Sequence, residues 1–121
     1  MTEKGPVAAA LLGTDLILAS RLQAALAAAG IVLARRSRDG LPSPAHVVFV
    51  DLNQEVDARL DAITRIRARD RDALIVGFCD HDESEVMRRA MAAGADRVVA
   101  NRHLGEAALR LVAPARSGPL G

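Results

Sequence analysis

The chain has 121 residues, enough for one compact domain and too few for a comfortable second. Hydrophobic residues make up 50%, charged ones 26% and aromatics 2%, with neither Trp nor Tyr, so the core is aliphatic and alanine-rich and base-stacking platforms for single-stranded nucleic acid are lacking. A formal net charge of +1 gives no strong field for DNA or an anionic membrane, and the single cysteine, Cys79, leaves no internal disulfide.

Residues 1–6 read as a mobile lead-in and Val7 to Leu12 as a buried strand. Gly13-Thr14-Asp15 is the turn into a helix, with Thr14 or Asp15 able to cap it. Leu18, Leu22, Ala25, Leu26 and Ala29 then recur at helical spacing, and Gly30 supplies the stop. Ile31 to Ala34 is a short second strand. Arg35 to Pro44, with two prolines and no helical period, reads as a loop. Val47 to Val50 is a third strand without alternation, as expected when both faces of a parallel sheet are covered.

Val56, Leu60, Ile63 and Ile66 mark an amphipathic helix, with Asp57, Arg59, Asp61, Arg65, Arg67 and Arg69 expected to face water. Leu74 to Phe78 is the fourth strand, followed by the loop Cys79-Asp80-His81-Asp82 and a helix from about Glu83 to Ala93, closed by Gly94. In that helix Glu85 can pair with Arg88 or Arg89. Val98 to Ala100 is a fifth strand, Leu104 to Val112 a last helix that Pro114 ends, and the residues beyond a flexible tail. No run approaches membrane-spanning length, and a cytoplasmic location is expected.

Strands alternating with helices imply a parallel sheet with right-handed crossovers, whose functional groups gather at the carboxyl ends of the strands. That rule brings Gly13, Thr14 and Asp15, Asp51 to Asn53, Cys79 to Asp82, and Asn101 to His103 around one crevice. Three features give the chain a family likeness. Val47-Val48-Phe49-Val50-Asp51-Leu52 is a strand ending in an aspartate; Ile66-Arg67 lies at the spacing of a following helix; Gly94-Ala95-Asp96 is a turn before the last strand.

In these features the sequence, over residues 7–113, resembles the receiver domain of two-component response regulators. The resemblance implies a three-layer α/β sandwich with a five-stranded parallel sheet in the order 2-1-3-4-5, here without the helix between strands two and three. It makes Asp51 the equivalent of the phosphate-accepting aspartate. The family's magnesium-holding acidic pair falls on Gly13-Thr14, with Asp15 one step late, its Thr or Ser on Cys79, and its Lys on Asn101, followed by Arg102 in place of Pro. The family's Pro and Gly beyond the acceptor fall on Glu55 and Arg59. Without the metal ligands and the lysine, phosphoryl transfer loses positioning and charge neutralisation.

The expectation is therefore an atypical receiver-like module, not an enzyme and without a cofactor, that works by contact with a protein partner or a second copy of itself. Met87, Met91, Val98, Arg102 and Leu109 are its candidate partner surface, and neither nucleic acid nor membrane is expected to bind. Two alternatives stay open. One is a true phosphate acceptor at Asp51 with magnesium; the other is a small metal-binder or enzyme using Asp51, Cys79 and His81. A sheet face lacking its helix must be closed by the loop over residues 35–46 or by a partner.

Overall fold

The computed structural model describes residues 8–37, 41, 42, 44–80 and 84–117, and their side chains except those of 34–37 and 111–117. The expected lead-in over residues 1–6, His81 and Asp82, and residues 118–121 of the expected tail lie outside the described residues.

Strand β1 (Ala8–Leu12) leads through a short turn into helix α1 (Leu16–Ala28). Asp15 is the cap: its Oδ1 accepts the N–H groups of Ile17 and Leu18 at 2.9 and 3.0 Å, a bond set that contributes about 1 kcal/mol. Leu18, Ala19, Leu22 and Leu26 are its buried stripe, and the helix stops where Gly30 takes φ 77°, a left-handed conformation that glycine adopts without strain.

Strand β2 (Val32–Ser37) runs three residues past the expected end at Ala34. It does so because β1 supplies ladder partners beyond Ala34: after a register shift at Ala9/Ala10, Ala10, Leu11 and Leu12 pair with Arg35, Arg36 and Ser37. Strand β3 (Val47–Asp51) and helix α2 (Val56–Arg69) follow, then β4 (Leu74–Cys79), α3 (Ser84–Ala93) and β5 (Arg97–Ala100). A 3-10 turn (Asn101–His103) opens into α4 (Leu104–Ser117). Pro114 does not end this helix; α4 continues through it and forgoes the bond that a residue with an N–H would donate to the Arg110 carbonyl.

The five strands form one parallel sheet in the order β2-β1-β3-β4-β5, the expected topology. Alternate residues of each strand serve different faces. Ala9, Leu11, Phe49, Val76 and Phe78 pack with Leu18, Leu22 and Leu26 of α1 and Leu104 and Ala108 of α4. Ala10, Leu12, Val48, Val50 and Ile75 pack with Leu60, Ile63 and Ile66 of α2 and Ala90 of α3. Both faces are apolar, which is why hydropathy does not alternate along the strands; each buried Leu, Ile or Phe contributes roughly 1.5–3 kcal/mol.

No helix lies between β2 and β3 among the described residues. The connection itself helps to close the face: Leu41 and Ala45 pack against the α2–α3 cluster, Pro42 is buried, and Arg69 Nη1 donates to the Pro42 carbonyl at 2.8 Å. In α3, Glu85 pairs with Arg88, while Arg89 reaches across to Asp57 of α2 at 2.8 Å.

Two arginines of α2 depart from the expected solvent-facing role. Arg59 is buried, and the Arg67 side chain is about three-quarters covered. Arg67 Nε donates to the Gly94 carbonyl at 3.1 Å, Nη1 to those of Arg71 and Ala73 at 2.9 and 2.8 Å, and Nη2 to Asp96 Oδ2 at 2.6 Å. Asp96 Oδ2 also accepts the Ile75 N–H at 2.8 Å, so this guanidinium ties the end of α2 to the turn before β5. Arg67 lies four residues after Ile63 and seven after Leu60, so helical spacing carries it toward the core side despite its charge. Among the described residues no helix is long and apolar enough to cross a membrane.

Candidate functional site

Because all five strands run the same way, β1, β3, β4 and β5 end at one edge, at Leu12, Asp51, Cys79 and Ala100. Asp51 closes β3 and is only 2% exposed, so its carboxylate needs donors at hand. Asn53 supplies two: its N–H and its side-chain Nδ2 both donate to Asp51 Oδ1, at 2.8 and 2.7 Å. Asn53 Nδ2 also donates to Asn101 Oδ1 at 3.1 Å, and Asn101 Nδ2 donates back to Asn53 Oδ1 at 3.0 Å. The two amides form a reciprocal pair that joins the β3 end to the turn after β5. Asn101 thus reaches the carboxylate through Asn53.

Gly13 faces Asp51 from the end of β1. A Cβ at this position would lie 2.7 Å from Asp51 Cβ and 3.3 Å from its Oδ2, closer than carbon atoms pack. Glycine is needed there for close approach, and an acidic side chain has no room without a shift of the strand ends. Thr14 is half-buried beside it. Asp15, the acid one step late, is engaged by the N–H groups that open α1.

Arg59 reaches the same strand ends through their backbone. Its Nη1 donates to the backbone carbonyl of Asp51 at 2.9 Å and to that of Leu12 at 3.4 Å, and Nη2 lies 3.7 Å from Glu55 Oε2. The side chain is 3% exposed, so these contacts offset part of the cost of burying a permanent charge. Sequence reading missed it, although Arg59 lies three residues after Val56 and four before Ile63, on the apolar face of the helix. Just before α2, Glu55 takes φ 52° and ψ 48°, left-handed values that cost a non-glycine residue about 1 kcal/mol.

Cys79 ends β4 outside any disulfide, 1% exposed, within the α2–α3 cluster. The residues at this edge fit a magnesium ion poorly: Gly13 carries no ligand, Asp15 serves a helix terminus, and Asp51 Oδ1 is bonded to Asn53. Among the described residues no three His, Cys, Asp or Glu side chains converge in a way that would hold a metal. His81, the proposed companion of Cys79, lies outside them.

The five residues of the candidate partner surface differ in exposure. Met87 and Val98 pack partly into the α2–α3 cluster, whereas Met91 is 47% exposed and Leu109 36% exposed. Arg102 is exposed on the turn before α4.

No family model matches the sequence, and no curated protein matches it significantly. Solved structures do. The signal receiver domain of the response regulator NarL from Mycobacterium tuberculosis superposes with a TM-score of 0.75 at 16% identity, covering 96% of this chain and 100% of that one. A response regulator from Thermotoga maritima gives 0.73 at 17%, over 90% and 99% of the two chains. A response regulator from Burkholderia pseudomallei, solved with a phosphorylated aspartic acid, calcium ion and citrate, gives 0.72 at 19%, over 88% of this chain and 65% of that one. At such identities the likeness is one of fold, and the fold of this chain is that of the response-regulator receiver domain.

Proposed function

We propose that the chain is a receiver-like regulatory module that acts through protein–protein contact, without enzymatic activity of its own, and that Asp51 is not phosphorylated by the magnesium-dependent route. The observation that carries this reading is the closed circuit at the strand ends: Asp51 Oδ1 is bonded to Asn53, Asn53 to Asn101, and Gly13 leaves no space for a metal-holding acid. Phosphoryl transfer needs a cation to neutralise developing charge on the phosphoryl oxygens, and Asn101 offers an uncharged amide where the family has a lysine. The Burkholderia relative, by its description, holds a phosphorylated aspartic acid with a calcium ion; this chain offers an aspartate at the end of β3, and among the described residues no three His, Cys, Asp or Glu side chains gather to hold a metal.

On this reading the exposed Met91, Leu109 and Arg102 belong to the surface by which the module meets its partner, together with the half-buried Met87 and Val98. Incubation with magnesium and acetyl phosphate, followed by intact-mass measurement, tests the chemistry. The expected result is the unmodified mass. A phosphoryl adduct that disappears in Asp51→Asn would defeat the proposal in favour of a phosphate-accepting regulator.

A further inference from the structure

Beside β5 the surface opens into a groove of about 400 Å³, lined by Arg97 and Val99 of β5, His103, and Glu106, Ala107 and Arg110 of α4. Val99 and Ala107 give it an apolar lining, while Arg97, Arg110 and the neighbouring Arg102 are exposed. The charges facing it are unequal. Two guanidinium groups, Arg97 and Arg110, line it against one carboxylate, Glu106, which already has Arg110 at 3.4 Å and His103 at 3.9 Å; Arg102 lies on the adjoining turn. Arg97 Nη1 donates only to the Asp96 carbonyl at 3.1 Å among the contacts described, so its charge has no acid against it there.

The groove also runs along an edge of the sheet. β5 pairs with β4 and, among the described residues, with no other strand, so one side of its backbone offers N–H and C=O groups to an added chain. Strand addition draws affinity from backbone bonds and specificity from side chains at alternate positions. Here those side chains would meet arginines. A second copy of this chain would bring the same cationic rim to the groove, and like charges directly opposed disfavour that pairing.

We propose that this groove receives an extended acidic segment of a partner protein, laid along β5 with carboxylates against Arg97 and Arg110 and small apolar side chains over Val99 and Ala107. The proposal rests on the reading of the chain as a protein-binding module and names the chemistry of its partner.

The test is fluorescence anisotropy with a labelled short peptide of alternating valine and glutamate, against its valine–lysine counterpart. The glutamate peptide binds and the lysine peptide does not, and raising salt from about 50 to about 300 mM weakens the binding because the rim is solvent-exposed. Arg97→Glu with Arg110→Glu lowers affinity roughly tenfold or more, with the melting curve checking that the fold is kept. Glu106→Gln, which removes the one opposing carboxylate, strengthens binding. Equal affinity for the two peptides overturns the proposal, as does an unchanged affinity in the folded double variant or a loss on Glu106→Gln. Because Asp51 lies outside the groove, Asp51→Asn leaves peptide binding unchanged. A phosphoryl adduct on Asp51 with normal peptide binding defeats only the proposed chemistry of the site, whereas failed peptide binding without an adduct overturns the groove alone.

Discussion

Replacing Gly13 by alanine tests the geometry of the site at its tightest point. The new Cβ would sit 2.7 Å from Asp51 Cβ, an atom fixed to the backbone of a central strand and unable to swing away. Overpacking of this kind costs about 1–3 kcal/mol. Alanine also restricts the unfolded chain more than glycine does, a gain of about 0.4–1 kcal/mol where the native conformation suits it. The net expectation is a loss of roughly 0.5–2 kcal/mol, read by urea denaturation or as a melting temperature several degrees lower.

The background variants identify the atom responsible. Asp51→Gly removes the colliding Cβ, so Gly13→Ala then costs about 0.5 kcal/mol or less, within the error of additivity between independent sites. Asp51→Ala keeps that Cβ and gives no such relief. If Gly13→Ala raises stability, or if Asp51→Ala relieves it as fully as Asp51→Gly, the close approach of β1 and β3 at the site is wrong.

Asp15→Ala removes the cap of α1 and lowers unfolding free energy by about 1 kcal/mol. Stability measured with and without millimolar magnesium shows the same loss, because Asp15 serves the helix and not a metal; a magnesium-stabilised native protein whose stabilisation vanishes in the variant contradicts this. Arg67→Met strips five bonding partners, the carbonyls of Asp70, Arg71, Ala73 and Gly94 and the Asp96 carboxylate, and is expected to cost about 2 kcal/mol in urea denaturation after allowance for partial exposure. Asp96→Asn, which spares the four carbonyl contacts, costs less; the reverse order would show that the carbonyls contribute little.

The layers and strand order were legible because both sheet faces are apolar and the helices carry clean stripes: Ala9 and Leu11 serve one face, Ala10 and Leu12 the other. The edge at which Asp51 lies followed from parallel topology. The arginines of α2 were harder to read. Arg59 and Arg67 occupy core-side helical positions, and a charged residue there is ordinarily taken as solvated; backbone carbonyls around each guanidinium, brought by β1, β3 and the turns before β4 and β5, help to make burial tolerable beside the carboxylates of Glu55 and Asp96. The length of β2 was hidden for a related reason, since ladder bonds to β1 leave no trace in side-chain pattern. The amide pair of Asn53 and Asn101 depends on residues 48 positions apart and on rotamers that spacing alone does not give.

A receiver fold places a carboxylate at the end of a buried strand whatever surrounds it, and a carboxylate there must find donors or lose stability. Leaving such a buried acceptor unsatisfied costs about 1–3 kcal/mol, more when it is charged. In this chain the answering groups are local and neutral: two N–H donors from Asn53, with Asn101 fixing the amide that supplies one of them. The buried cation, Arg59, is bonded to the carbonyls of Asp51 and Leu12 and so braces the ends of β3 and β1. Glycine at position 13 lets those ends close up. These features support one another. An acid at position 13 would meet Asp51, and a lysine at position 101 would break the amide pair with Asn53. Single substitutions at Gly13, Asn53 and Asn101 should therefore register first as losses of stability.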